Sequence, residues 1–539
     1  MVVLVSVTAF AFPIPVEAAT VPASASAFKG VTPKRLFDSR PSSPRVAGST
    51  TQVMVTDVAG VPADASAVVL NVTVAEASTA GYATVFPFGE AMPNTSNVNV
   101  VSADQAVANL VTVRVGSSGS VGVFVSMSAH VIVDVFGYYS KVQSSAAGRF
   151  IPMAPTRVVD TRDGSVPSES TVVRMPLPAG VPVDTEGLVL NITAVNSLGG
   201  YWTAYAAGSG RPDTSNLNVT WMGQTVANQA IVKPGSLGVD FYSSNGGDLI
   251  VDLMGYYTGP SAAVGDGGLF VPIAPSRLLD TRTAPNPLGV GVALHHRWTV
   301  EVATSGLAGV GTTGMSAVAL NVTEVGTHGA GYLTVYPAGT IRPLASNLNT
   351  DRAGFTAPNH VQVQVGSRGV AFYSDGGTDL LVDAFGWFTG FPVASVYSAP
   401  ANQLPDEVTF PGTIEIPRIK LTSRVRESTN FVNIDPSHLP ESRSPNQPGN
   451  VAIFGHRTSH GHEFRNLDKM RIGDVILLTV RGVKYAYEVD SVDIRLPTDP
   501  LLYASTSNDQ TISLVACHPP GSVTYRLVVH GSLFELDPV

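Results

Sequence analysis

The chain has 539 residues, too many for one ordinary hydrophobic core, so we expect several folded domains. Hydrophobic residues make up 44% of the chain and charged residues only 14%, a composition that excludes a largely disordered protein. The net charge of -9 argues against nucleic acid as a partner.

The first residues carry the pattern of an export signal. An apolar run from Val2 to Val16 leads to the small residues Ala18 and Ala19, as at a signal-peptidase site. The run contains Pro13 and Pro15 and is shorter than the roughly 20 residues of a membrane helix. No lysine or arginine precedes it, so the signal is either atypical or begins upstream. We predict a signal peptide over residues 1–19 and an exported protein.

Four short motifs then occur three times in the same order. An Arg–Asp motif opens each set, at Pro33–Asp38, Pro155–Asp160 and Pro275–Asp280. Leu-Asn-x-Thr motifs follow at Leu70–Thr73, Leu190–Thr193 and Leu320–Thr323, and Ser-Asn-x-Asn motifs at Ser96–Asn99, Ser215–Asn218 and Ser346–Asn349. A Gly-aromatic-aromatic motif closes each set, at Gly137–Tyr139, Gly255–Tyr257 and Gly386–Phe388. The period of about 120 residues is domain-sized and predicts tandem domains over 28–140, 149–258 and 269–390.

Each repeat is predicted to be all-β. Segments such as Ala67–Val74 and Leu249–Leu253 are short, rich in β-branched residues and bounded by turn-forming residues. The pattern is compatible with either a sandwich or a barrel in each repeat.

The polar residues that recur in the repeats allow two interpretations. A functional one makes them a glycan-binding face, and a structural one makes them ties between turns and strand ends. The structural interpretation is favoured. The residues concerned are the pairs Arg35 and Asp38, Arg157 and Asp160, Arg277 and Asp280, the asparagines of the Ser-Asn-x-Asn motifs, and Asn109, Asn228 and Asn359. We expect Asp134, Asp252 and Asp383 to be buried and hydrogen-bonded, and the sequons at Asn71, Asn191 and Asn321 to be polar strand positions rather than glycosylation sites.

The repeat pattern ends at Phe388, and a proline-containing linker is predicted over 391–410. A further domain over 411–539 begins near Pro411. Its predicted strands are Gly412–Ile419, Val475–Val480 and Tyr485–Val489, so it is also mainly β.

Three segments of this last domain carry reactive side chains. An apolar strand runs into Gly455 and His456, another ends on Cys517, the only cysteine of the chain, and a third strand pattern carries Arg526. A nucleophilic cysteine needs its thiolate, which a nearby cation or a histidine base stabilises or generates. These three residues are therefore candidate catalytic groups.

The order strand-Gly-His, strand-Cys and then Arg nine positions later resembles the sortase family over residues 411–533. The segment Phe464–Lys469 followed by Ile472–Val475 also resembles the region after the catalytic histidine of sortases. The turns Gly455–Thr458 and Cys517–Pro519 are most similar to the class E, actinobacterial branch. The three repeats resemble those of secreted actinobacterial surface proteins.

The resemblance implies an eight-stranded barrel and a cysteine transpeptidase at or near a bacterial cell wall. Cys517 would attack a Thr-Gly bond in an LPxTG- or LAxTG-like sorting signal, His456 would act as acid and base, and Arg526 would hold the oxyanion or the substrate backbone. A peptidoglycan-precursor or pilin amine would resolve the thioacyl enzyme. Hydrolysis would be a side reaction. Substrate-binding residues are not indicated, and no cofactor is implied.

Several alternatives stay open. The repeats could carry the function as wall- or glycan-binding units, or the domain could be a Cys-His peptidase. His456, His460, His462 and His518 could suggest zinc, but no Cys or carboxylate joins them at ligand spacing, and we expect a solvated loop and no metal. Ala516 stands where many sortases have threonine, which bears on substrate positioning. Leu496–Pro500 faintly resembles a sorting signal and is interpreted as a loop.

Overall fold

The structure is a computed structural model. It describes residues 21–141, 146–265, 267–283, 293–294, 298–304, 306–307, 314–340, 342–394, 412–427, 432–439, 442–443, 445, 449–480, 483–499, 502 and 510–538. The predicted signal peptide over 1–19 and most of the predicted linker over 391–410 lie outside these residues. Within the described ranges, no helix has the length and apolar character needed to cross a membrane.

The three repeats share one architecture of eight strands. Repeat 1 contains β1 (Ala27–Asp38), β2 (Ser49–Met54), β3 (Ala65–Ala75), β4 (Gly81–Pro87), β5 (Val98–Val100), β6 (Val107–Arg114), β7 (Ser120–Val125) and β8 (His130–Ser140). Repeat 2 contains β9 (Phe150–Asp160), β10 (Val172–Met175), β11 (Gly187–Ser197), β12 (Gly200–Ala206), β13 (Leu217–Val219), β14 (Gln224–Val232), β15 (Val239–Ser243) and β16 (Asp248–Tyr257). Repeat 3 contains β17 (Phe270–Asp280), β18 (Trp298–Val302), β19 (Met315–Val325), β20 (Gly331–Pro337), β21 (Leu348–Thr350), β22 (Thr356–Gln364), β23 (Val370–Ser374) and β24 (Asp379–Thr389).

Each repeat is a sandwich of two four-stranded antiparallel sheets, which resolves the choice between sandwich and barrel. In repeat 1 the inner sheet has the order β1-β8-β3-β6 and the outer sheet the order β2-β7-β4-β5. Repeats 2 and 3 have the same two sheets in the same order. The only helical turn described in the repeats is the 3₁₀ segment Ser117–Gly119.

The inner sheets are buried on both faces. On β3, Val68 and Leu70 pack in the sandwich core, whereas Ala67 and Val69 face a second core shared by all three repeats. Two-sided burial explains why this strand reads as a continuous apolar run rather than an alternating one. We expected each repeat to bury its own apolar surface, and the structure adds this common core between them.

The shared core has approximate threefold symmetry. Its aromatic layer contains one residue from the start of each inner sheet and residues from each closing motif: Phe28, Phe150, Phe270, Tyr139, Tyr257 and Phe388. The backbone closes the same ring, because the amides of Phe28, Phe150 and Phe270 donate to Gly148, Gly268 and Ser26 of the next repeat at 2.9, 2.8 and 2.8 Å. The repeats thus form one closed body rather than a row of separate domains.

A ring of buried asparagines extends this symmetry. Asn71 donates to the carbonyl of Ser215, Asn191 to that of Ser346 and Asn321 to that of Ser96, at 2.7, 2.8 and 2.7 Å. Asn109, Asn228 and Asn359 donate to the side-chain oxygens of Asn321, Asn71 and Asn191 at 2.8, 3.3 and 3.1 Å. The sequon asparagines are therefore polar strand positions as expected, and their partners lie in the neighbouring repeat.

The C-terminal strands form a closed eight-stranded barrel, as the resemblance implied. They are β25 (Gly412–Ile416), β26 (Leu421–Glu427), β27 (Ser437–His438), β28 (Gly449–Phe454), β29 (Val475–Val480), β30 (Val483–Arg495), β31 (Gln510–His518) and β32 (Tyr525–Pro538). Their order around the barrel is β25-β26-β27-β28-β31-β32-β30-β29.

One predicted strand of the barrel is too long. The pattern predicted Gly412–Ile419, but the strand ends at Ile416, and a 3₁₀ turn occupies Pro417–Ile419. Pro417 has no amide hydrogen for the sheet and fits the first position of a helical turn. A second 3₁₀ turn covers Leu467–Lys469.

Candidate active site

The three candidate catalytic residues lie on neighbouring strand ends at one edge of the barrel. Strands β28 and β31 run parallel, with Phe454 beside Val515, so His456 and Cys517 each lie two residues beyond this pair. Strands β31 and β32 are antiparallel, and Cys517 is directly opposite Arg526. Residues directly opposite each other project from the same face of a sheet. The register therefore gathers residues that are up to 70 positions apart in sequence.

The side chain of Cys517 belongs to the outer face of the barrel. Its neighbour Ala516 packs in the barrel interior, while Val515, two residues earlier, packs on the outside against Val528 and Phe454. Alternation along the strand places Cys517 on the same outer side as Val515. Cys517 is a free thiol and is partly exposed. A reagent or substrate can reach the thiol from outside the barrel.

Ring nitrogens of His456 are held by two loop residues that the sequence did not single out. Nε2 donates to Oδ1 of Asn433 at 2.7 Å, and the hydroxyl of Ser459 donates to Nδ1 at 3.0 Å. These partners fit a neutral imidazole protonated on Nε2. No hydrogen bond among the described residues joins His456 to Cys517. Asn433 and Ser459 lie in loops, where side chains follow no helical or strand periodicity. The sequence pattern therefore did not single them out.

Partial burial lowers the pKa of His456 below its usual 6.5, and the ring of His460 lowers it further. The two imidazoles stack with 4.7 Å between ring centroids. Glu463 acts in the opposite direction and raises the pKa. The balance favours the neutral form of His456 near pH 7, the form that can accept a proton.

The turn that carries His456 depends on a close approach at Gly455. A Cβ atom at this position would lie 2.6 Å from the ring of Phe464, a buried residue. The amide of Phe464 donates to the carbonyl of His456 at 3.0 Å. Glycine therefore allows the turn that carries His456 to pack directly on Phe464. This packing fixes the backbone position from which the imidazole projects.

The guanidinium of Arg526 is bound to its own turn. Nη1 donates to the carbonyls of Val523 and Tyr525 at 2.9 and 3.1 Å. Both bonds are at the rim of the barrel, where Val523 is exposed. Arg526 is therefore next to Cys517 by register, and among the described residues no hydrogen bond joins the two.

A buried contact ties together the strand ends that carry His456 and Cys517. Arg457, which follows His456, bonds to His518, which follows Cys517, at 3.2 Å, and it also pairs with Asp468 at 3.0 Å. The prediction that His518 belongs to a solvated histidine loop is wrong, since this side chain is buried. His460 and His462 are exposed, as expected.

The recurring polar residues of the repeats are used in internal contacts. Arg35, Arg157 and Arg277 pair with the buried carboxylates of Asp134, Asp252 and Asp383 at 2.9, 2.8 and 2.5 Å, and also with Asp38, Asp160 and Asp280. Burial raises the pKa of Asp383 to about 6, although Arg277 opposes the shift. In the Ser-Asn-x-Asn motifs, Asn97, Asn216 and Asn347 accept from the backbone amides of Val85, Ala204 and Val335. These contacts agree with the structural interpretation.

Comparisons with known proteins agree with this barrel. Residues 414–534 match the family model described as Sortase domain. Sortase SrtE1 of Streptomyces coelicolor is 30% identical over 108 residues, which cover 19% of this chain and 30% of that protein. Sortase SrtE2 of the same organism is 30% identical over 112 residues, covering 19% of this chain and 42% of that protein. The chain therefore spans less than half of these two relatives.

Solved sortase structures are also similar to this part of the chain. Sortase A from Corynebacterium diphtheriae is 30% identical with a TM-score of 0.23, and the match covers 24% of this chain and 64% of that structure's chain. A sortase E mutant from Streptomyces avermitilis is 25% identical with a TM-score of 0.22, and the match covers 24% of this chain and 90% of that structure's chain. Residues 414–534 are thus the part of the chain that matches the sortase domain family by sequence.

Proposed function

We propose that this sortase domain is a cysteine transpeptidase with Cys517 as nucleophile, His456 as general acid and base, and Arg526 as oxyanion partner. The observation that carries the proposal is the register that brings these three residues to one edge of the barrel, with Cys517 opposite Arg526 and the His456 turn beside it. A thiol, a neutral imidazole and a fixed positive charge are the groups that acyl transfer needs.

The first half-reaction forms a thioacyl enzyme. Neutral His456 exchanges one of its loop hydrogen bonds for the thiol of Cys517 and accepts its proton. The thiolate attacks the carbonyl of the Thr-Gly bond in an LPxTG- or LAxTG-like sorting signal, and Arg526 leaves its own backbone carbonyls to stabilise the oxyanion. The imidazolium then protonates the departing glycine amine as the C–N bond breaks.

The second half-reaction joins the acyl group to an amine. A peptidoglycan-precursor or pilin amine attacks the thioester, and His456 takes the proton released from the attacking nitrogen. The new amide forms as the C–S bond breaks, and Cys517 leaves with the proton. Water in place of the amine gives slow hydrolysis. Substrates of this kind place the protein outside the cell, associated with the wall.

The test is an acceptor competition assay on the full chain. A sorting-signal peptide and an amine acceptor should yield the transpeptidation product, with a thioacyl adduct on Cys517 detected by mass spectrometry. Cys517→Ala should abolish both signals, whereas Ser522→Ala on the neighbouring exposed turn should preserve them. Hydrolysis that persists as the main outcome at saturating amine would instead identify a peptidase.

Glycan binding by the repeats is a second candidate, supported by one different observation. The outer sheets of repeats 1 and 2 carry partly exposed aromatic pairs, Tyr82 with Phe124 and Tyr201 with Tyr242, with centroids 5.9 and 6.2 Å apart. Aromatic faces of this kind can stack on sugar rings. Sedimentation of Cys517→Ala protein with purified cell wall, compared with the same protein carrying Tyr82→Ala and Tyr201→Ala, tests it. Equal sedimentation of the two proteins would reject these faces as the binding surface.

A further inference from the structure

The outer sheet of repeat 3 packs against the sortase barrel through a cluster of buried charges. Arg368 of repeat 3 pairs with Glu301 on β18 at 2.9 Å and reaches across to Asp499, which follows β30. Arg495, the last residue of β30, pairs with Asp499 at 3.3 Å and approaches Glu301 at 3.7 Å. It also pairs with Asp493 at 2.7 Å. Side-chain exposure is 10% or less for all five residues, so the cluster is sealed between the two parts.

This cluster is specific to repeat 3. The turn Gly366–Gly369, which carries Arg368, corresponds to the turn Gly235–Gly238 of repeat 2. The equivalent residue there is Leu237, which is 51% exposed. Glu301 corresponds by register to Arg174, whose partner Asp240 is in its own repeat. Since the equivalent positions of repeat 2 lack this pair of charges, the pair serves the contact with the barrel.

The charged cluster adjoins the candidate active site through the barrel register. Arg495 is directly opposite Arg526, and Arg526 is directly opposite Cys517, so the three residues form one row across β30, β32 and β31. Leu502 links the charged cluster to the outer face of the barrel that carries Cys517. Its amide donates to the carbonyl of Asp499 at 3.1 Å, and its side chain packs against Val515 and Val528 on the outer face that carries Cys517.

We propose that Arg368 of repeat 3 is a positioning residue for the sortase site, acting through Asp499 and Arg495 on the outer face of the barrel beside Cys517. The repeats are then a structural part of the working enzyme and not a spacer. Arg368 is a cation placed between the buried carboxylates of Asp499 and Glu301. Removing its charge increases the repulsion between the two carboxylates, which displaces Asp499 and with it Leu502. The effect on activity rests on the proposed transpeptidase function, whereas the effect on the thiol environment does not.

The test uses the full chain with Arg368→Gln, the conservative Arg368→Lys, and the matched control Leu237→Gln at the equivalent turn of repeat 2. Two readouts are measured: kcat and KM for the sorting peptide, and the rate of Cys517 alkylation by iodoacetamide. We expect Arg368→Gln to raise KM by about tenfold with a smaller change in kcat, and to change the alkylation rate by about threefold or more. Arg368→Lys should restore most of the wild-type KM and alkylation rate, and Leu237→Gln should match the wild type in both quantities.

Wild-type KM and wild-type alkylation in Arg368→Gln would overturn the inference, as would an equal effect of Leu237→Gln. If Arg368→Gln does not fold, the double variant Arg368→Gln/Glu301→Gln keeps the net charge of the cluster and still removes the link from repeat 3 to Asp499. It should change KM and the alkylation rate in the same direction by a smaller factor, and wild-type values of both would overturn the inference. A wild type that alkylates differently from Arg368→Gln but never transpeptidates would reject the proposed function and leave this inference standing.

Discussion

The guanidinium of Arg457 donates to Nδ1 of His518 at 3.2 Å, and both side chains are buried. Each residue directly follows a candidate catalytic residue, Arg457 after His456 and His518 after Cys517. The bond therefore links two strand ends where β28 and β31 stop pairing. The proposed acyl transfer depends on the distance between imidazole and thiol, so we expect this contact to set that distance.

Substituting Arg457 should lower activity more than it lowers stability. Arg457→Gln loses the bond to His518 and the pair with Asp468, and we expect kcat to fall by about 100-fold because the imidazole is displaced from the thiol. Arg457→Lys should be intermediate. Steady-state kinetics and thermal unfolding of the full chain measure both effects, with the exposed Arg465→Gln as control. An unchanged kcat in Arg457→Gln would contradict the positioning role.

His460 should control the acidic limb of the pH profile. Burial and the neighbouring His460 both lower the pKa of His456, so His460→Asn should move the acidic limb of kcat/KM to higher pH. Asparagine suits the positive φ of 55° at this position, so the loop should keep its shape. Glu463→Gln should shift the limb the other way, since Glu463 raises the pKa. Wild-type profiles in both variants would show that neither residue acts on His456.

The guanidinium of Arg526 should be needed for its paired donor nitrogens as well as for its positive charge. Arg526→Lys keeps the charge but cannot hold an oxyanion with two nitrogens, so we expect kcat to fall by about 10²-fold or more with little change in KM. Single-turnover measurement of thioacyl formation locates the loss in the first half-reaction. A defect confined to KM would make Arg526 a substrate-binding residue instead.

The sequence predicted those parts of the site that follow from local pattern. Apolar runs that end on Gly455–His456 and on Cys517 predicted strand ends, and the strand pattern around Arg526 is borne out by β32. The partners of His456 could not be predicted. Asn433 and Ser459 are in loops without periodicity, and their contact depends on how the chain returns to the barrel edge.

The packing of the repeats was predictable only in part. Repetition and β-branched segments predicted three all-β units, because period and strand propensity are local properties. The closed threefold body depends on contacts between residues more than 100 positions apart, such as Asn71 with Ser215. No pattern within one repeat distinguishes an asparagine that bonds inside its own unit from one that bonds to the next.

Breaking the asparagine ring should destabilise the repeat body. Asn191→Ala removes the bond to the carbonyl of Ser346 and the acceptor of the buried Asn359, and leaves each of these groups short of one partner. We expect the free energy of unfolding to fall by about 1–3 kcal/mol. Chemical denaturation followed by the change in tryptophan fluorescence measures it, and Asn94→Ala, at an exposed position, is the control. Equal stability of the two variants would mean that the ring is not a source of stability.

A buried acid in repeat 3 gives a prediction with a defined pH window. Glu324 is 1% exposed, and its Oε2 has no hydrogen-bond partner among the described residues. Burial raises its pKa from 4.5 to about 8. The equivalent residues of repeats 1 and 2 are Val74 and Ala194, which pack in the sandwich cores. An ionisable group thus occupies a core position in one repeat alone.

The sign follows from the two pKa values. Below pH 4.5 the carboxyl is protonated in both the folded and unfolded states, so it has no pH-dependent effect. As the pH rises from 4.5 to about 8, the unfolded state loses its proton first, and the folded state loses stability relative to it. Glu324→Val removes this loss. We expect the variant to be more stable than the wild type at pH 8, by as much as a few kcal/mol, and the difference to shrink steadily towards pH 4. Denaturant unfolding across this range measures the difference, and a gap that does not depend on pH would show that the pKa of Glu324 is the same in the folded and unfolded states.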